Sequence, residues 1–135
     1  MQSVEINYLA VVICGIIAMA IGSLWYGPLF GKEWVKEIGK SEEELLKDFN
    51  PIKTYGITFV AHVVMALVVA YFISLTGAAN VVNGIRVAFS AWVGFVAATM
   101  LINGMFAGKS VKLFIIDGGY HLVNMLIFGI VLVLW

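Results

Sequence analysis

Charge, cysteine, proline and histidine are all scarce in this 135-residue chain. Asp, Glu, Lys and Arg together make up 12% of it, about half the share in an ordinary soluble domain. Eight basic side chains cancel eight acidic ones. No surplus of positive charge is left to hold a phosphate backbone, so nucleic acid is not an expected partner. A single cysteine, Cys14, excludes an internal disulfide framework and a cysteine-rich metal cluster. Lying in an apolar stretch, it is an inert thiol. There is no Gly-x-Ser-x-Gly turn, no His-Glu-x-x-His zinc pattern and no glycine-rich phosphate loop. Neither an enzyme activity nor a metal or cofactor is expected.

Hydrocarbon is what the chain has in excess. It is 62% apolar with a mean hydropathy of +1.02, more than one water-soluble core of this size can hide. The bilayer is therefore its solvent and first partner. Crossing a core of about 30 Å takes about 20 mostly apolar residues, and four stretches qualify, at about residues 6–30, 55–76, 85–107 and 112–134. The Gly77-Ala78-Ala79-Asn80 and Asn83-Gly84 signals separate the second from the third. The expected fold is all-α, an integral membrane bundle of four transmembrane helices in one membrane domain, 1–135. Met1 to Glu5 carry no basic side chain, which argues against reading the first stretch as a signal peptide.

The loop at 31–54 is the only sizeable polar segment. Ser41 followed by Glu44 is a capping-box pattern, and Leu45, Leu46 and Phe49 form an apolar stripe before Asn50-Pro51 stops the helix. These signals predict a short amphipathic helix over about 42–49 on the membrane surface. Five lysines in 31–54 and two more at Lys109 and Lys112, against one Arg86 on the other side, place both loops in the cytoplasm. Both termini then face outward, across a bacterial inner membrane.

Helices in lipid associate through small residues and interhelical hydrogen bonds. Gly15, Ala18 and Gly22 supply small residues on the first helix, Ser90, Gly94 and Ala98 on the third, followed by Gly104 and Gly108, and Gly118, Gly119 and Gly129 on the fourth. Four helices enclose little interior, so a homo-oligomer is expected. Gly27 to Lys32 also echoes Gly104 to Lys109, and the lysines at 53 and 112 are each followed nine residues on by a histidine. That pattern fits two tandem helical hairpins.

An ionisable group inside a span is costly and faces the bundle interior. Asp117, His121 and Asn124 fall on one face of the fourth helix. His62 and His121 each lie about 13 Å past the lysine that opens their span, hence at one depth. Asn103, Thr99 and Thr58 share the cytoplasmic half with them. The functional expectation is an inward-facing polar cavity for an unidentified small molecule, ion or proton, built on an Asp117–His121 pair with His62 opposite. A small transporter, channel-like or ligand-binding membrane component would use it. The alternative is a non-catalytic accessory or assembly protein whose polar cluster only locks the bundle.

The run Gly22-Ser23-Leu24-Trp25-Tyr26-Gly27-Pro28-Leu29-Phe30-Gly31-Lys32-Glu33-Trp34, followed by a mixed-charge loop and three further spans, resembles a bacterial family of four-helix membrane proteins, domain of unknown function 1761. The resemblance implies an integral membrane protein and brings no catalytic or binding residues. In this run Pro28 ends or kinks the helix, and Trp25, Tyr26 and Trp34 are expected as interface anchors. The lysine bias makes a direct prediction: alkaline phosphatase fused after Trp135 is active, and the same enzyme inserted at Lys40 is not.

Overall fold

The computed structural model describes residues 3–135, which form helices and no strand. Four of its helical stretches are long and apolar enough to cross a membrane: Tyr8–Leu29, Pro51–Thr76, Val81–Phe106 and Val111–Leu134. The first begins as α1 (Tyr8–Leu24), capped by the Asn7 side chain, which accepts from the Ala10 amide. One π-helical turn, Trp25–Leu29, completes it. Pro28 has no N–H to give the ladder, and the pairing widens there, with the Phe30 amide donating to the Trp25 carbonyl at 2.8 Å.

Two short helices follow, α2 (Gly31–Ile38) and α3 (Glu42–Lys47). The sequence reading anticipated only the second, and carried it to residue 49. In α2, Trp34, Val35 and Ile38 stand at helical spacing, and Gly39 ends the helix with φ of 75°. Ser41 caps α3 as expected, accepting from the Glu44 amide. No residue of α3 is buried, which leaves Leu46 exposed on its surface.

The second span is α4 (Pro51–Thr76). It begins at Pro51 rather than at 55, because Asn50 caps the Lys53 amide and proline fits the first helical turn. The expected stop signal is thus also a start. The third span starts at Val81 rather than 85, capped by Asn80. It runs as α5 (Val81–Ala91), a second π-helical stretch (Trp92–Ala97) and α6 (Ala98–Phe106). The fourth, α7 (Val111–Leu134), is capped by Ser110.

α7 is the central helix. It packs against α1, α4 and α5, whereas the third span leans mainly on α7 alone. The first span packs closely on the second and the third on the fourth, as in two successive hairpins, while the contact of span one with four is broader than that of span three with two. Val11, Cys14, Ala18, Ala66, Val69, Ala88, Met125 and Phe128 form an apolar core in the half nearer the termini. Tyr26, Asp117 and the Glu33–Lys112 pair lie in the other half, beside the 31–50 and 107–110 loops, and His62, His121 and Asn124 lie near mid-span.

Small residues set the closest approaches, but not all of those anticipated. A Cβ on Gly84 would lie 2.5 Å from the Gly129 carbonyl oxygen, and one on Gly129 would lie 2.5 Å from that of Gly84. A Cβ on Gly15 would lie 2.6 Å from the Val63 Cγ2 methyl. Ser90, Gly94 and Ala98 instead point outward, because the third span presents its Gly84 and Ala88 side to α7. Gly108, with φ of 70°, serves the turn after α6 and not helix packing. Gly129→Leu is expected to lower stability in detergent by about 1–3 kcal/mol, the usual penalty of overpacking. Gly94→Leu, where a new Cβ meets nothing within 4 Å, should leave the thermal midpoint unchanged.

Candidate functional site: a polar cluster around the fourth span

The fourth span carries Asp117, Tyr120, His121 and Asn124 within two turns, and its neighbours bring partners to them. His62, buried at 3% exposure on α4, stands opposite, its ring 6.3 Å from that of His121 and 5.7 Å from that of Tyr120. The two histidines thus share a depth. Asp117 does not hydrogen-bond to His121, as the sequence reading expected. Its Oδ1 accepts from the Tyr26 hydroxyl at 2.6 Å, because the π-helical turn swings Tyr26 toward α7.

Tyr120 is the hub of the cluster. Its hydroxyl lies 2.6 Å from the Ala18 carbonyl oxygen and 3.1 Å from His62 Nε2. A hydroxyl has one proton and a carbonyl only accepts, so Tyr120 donates to Ala18 and His62 donates to Tyr120. This fixes neutral His62 as its Nε2–H tautomer. Its Nδ1 has no protein partner, and neither do His121 Nδ1, Asn124 Nδ2 and Asn124 Oδ1, all buried. Unpaired buried polar atoms are rare in folded proteins. Here four of them sit on three neighbouring side chains.

Two grooves flank the cluster. One, of about 720 Å³, lies between the first and second spans and includes Tyr26, Thr58 and Tyr120 in its wall. The other, of about 190 Å³, lies between the third and fourth and reaches Asp117, Asn103, Lys109 and Ser110. Asn103 therefore faces the groove and not the buried cluster. Thr99 is exposed on the outer side of the third span and takes no part, since α6 diverges from the bundle. Among the described residues, no three His, Cys, Asp or Glu side chains gather as metal ligands.

Trp25 and Tyr26 turn inward, in place of the interface role expected of them. Trp25 Nε1 donates to the Ile116 carbonyl at 2.9 Å, and Trp92 Nε1 to that of Gly118 at 3.0 Å. Trp34 sets its ring edge-on to Tyr26, 5.8 Å between centres. At Gly31 the chain passes so near the Tyr26 carbonyl that a Cβ would come within 2.5 Å of its oxygen. On the loop side Glu33 pairs with Lys112, whose ammonium holds that carboxyl below its ordinary range, and Ser110 donates to Glu37. These contacts tie α2 to the start of α7. The sequence singles out Trp25 and Tyr26 only as interface anchors, and Trp92 and Tyr120 not at all. The one available signal was Tyr120, three residues after Asp117 and beside His121 on the same helix.

The profile of a family described as protein of unknown function (DUF1761) matches residues 9–133. The chain belongs to that family. No curated protein and no solved structure matches it. In this DUF1761 member, the Trp-Tyr-Gly-Pro stretch is the device that delivers Trp25 and Tyr26 to the fourth span. Tyr120→Phe should cost about 1–2 kcal/mol of stability by leaving the buried His62 Nε2–H without its acceptor. Ring nitrogen-15 resonances of His62 should move at the same time from one tautomer toward a mixture.

Proposed function

We propose that this family member is a small transport or ligand-binding component of the inner membrane, and that Asp117, Tyr26, Tyr120, His62, His121 and Asn124 are its working site. The observation that carries the reading is the set of four buried polar atoms with no protein partner on His62, His121 and Asn124. They lie beside a carboxylate that a groove connects to the loop side. A purely structural cluster would be expected to satisfy its own members. Two imidazoles beside a carboxylate can each donate or accept hydrogen bonds to a small polar ligand, which suits this residue set to binding one.

In this reading the groove mouth faces the cytoplasm, on the side of the lysine-rich loops, and both termini face outward. Self-association belongs to the same reading, because the third span leaves its Ser90, Gly94 and Ala98 side without a partner in the protomer.

One observation favours the accessory alternative. The Tyr120 hydroxyl joins the first, second and fourth spans through Ala18 and His62, as a packing lock would. Asp117→Asn separates the two. A working site predicts that a cell carrying this variant shows the altered metabolite uptake profile of a deletion strain while the purified protein keeps its thermal midpoint. A lock predicts a lowered midpoint and a normal uptake profile.

A further inference from the structure

The larger groove has a composition that selects its occupant. It opens between the first and second spans, in the half of the bundle nearer the loops, and is walled on its deep side by Tyr120. No Lys, Arg, Asp, Glu or His contributes to its lining, yet six hydroxyl groups do: Ser23, Tyr26, Thr54, Tyr55, Thr58 and Tyr120. Thr54 and Thr58 stand one turn apart on α4. Neither they nor Tyr55 donate or accept a side-chain hydrogen bond within the described residues, in contrast to Thr76, which bonds back to the Phe72 carbonyl. The Tyr26 and Tyr120 protons are already committed, to Asp117 and to Ala18. The groove thus offers unused hydroxyls on its α4 wall and spent ones at its depth.

Glycine keeps it open. A Cβ at Gly27 would meet nothing within 4 Å, and one at Gly22 would lie 2.7 Å from the Tyr120 hydroxyl oxygen. A side chain at either position would fill the groove or push Tyr120 aside. No charged side chain lines the groove, and the Asp117 carboxylate behind Tyr26 is already engaged by its hydroxyl. A charged head group here would therefore lack a free counter-ion in the wall, whereas a neutral hydroxyl or carbonyl would find both donors and acceptors.

We infer that this groove binds an uncharged amphiphile with a hydroxyl or carbonyl head, entering sideways from the bilayer. Its head lies at the Thr54–Thr58 wall beside Tyr26, and its apolar part lies along Met19 and out toward lipid. The inference rests on the reading of the polar cluster as a working site, for which it names the ligand class. The groove at Asp117, lined by Lys109 and Ser110, is then the separate path for water and protons. The Tyr26–Asp117 bond is the point where the two meet.

The test uses the full chain in nanodiscs with a photoactivatable, alkyne-tagged hexadecanol, and the equally tagged palmitate and hexadecylamine as charged comparators. Labelling by the alcohol is expected within residues 19–27 and 54–58, well above that by either comparator. Gly27→Leu should abolish it without loss of fold. Thr58→Val should reduce it about fivefold, the effect of one neutral hydrogen bond. Equal labelling by the three probes, labelling spread over the outer face of the third span, or no effect of Gly27→Leu would overturn the inference. The uptake profile of Asp117→Asn is read independently. If that variant has a phenotype but the alcohol does not label the groove, only the ligand class falls. If the alcohol labels the groove and Asp117→Asn is silent, the cluster loses its role as the ligand's working end.

Discussion

Hydrocarbon offers no hydrogen bonds, so a helix that carries polar side chains through it must find their partners on other helices. In this protein that demand falls on α7. Asp117, Tyr120, His121 and Asn124 lie on it within two turns, and the neighbouring spans supply partners to Asp117 and Tyr120. The first span supplies Tyr26 to Asp117 and the Ala18 carbonyl to Tyr120, and the second supplies His62. The two indoles do the reverse, drawing on carbonyls of α7 to satisfy their own N–H groups. That α7 is the most buried of the four spans follows from the same demand.

The turn at Pro28 is the device that makes the supply possible. A regular α-helix through residues 25–30 would place Trp25 and Tyr26 by the ordinary rotation per residue. The missing proline N–H opens the ladder by one residue and changes that rotation. Gly31 then lets the chain turn closely past the Tyr26 carbonyl into α2, and Trp34 closes over the Tyr26 ring. The surface ion pair of Glu33 with Lys112 is exposed and contributes little by itself. Its place in the fold is to keep α2, and with it Trp34, over the cluster.

The bundle divides by depth into two halves with different physics. Nearer the termini, small residues bring backbones into contact at Gly84 and Gly129, and an apolar core packs beside them, with grooves on its flanks next to Asn7 and Ser74 and next to Thr76 and Ser90. Packing there is dispersion at short range, which tolerates no added volume. Nearer the loops, the helices stand apart far enough to leave grooves, and polar groups are only partly paired. The closest backbone approach and the unpaired polar atoms thus lie at different depths of the same bundle.

Residue order alone was sufficient to specify the membrane class, the count of spans and the depth of His62 and His121. Hydropathy over some 20 residues and a rise of 1.5 Å per residue are properties of single helices, and both are additive along the chain. The shared face of Asp117, His121 and Asn124 was legible for the same reason. Which helix faces which is not additive. Asp117 takes its proton donor from Tyr26, 91 residues away, and Ser90, Gly94 and Ala98 look outward while Gly84 packs. Those choices come from the rotation of each helix about its axis, and only the simultaneous packing of all four spans sets that rotation.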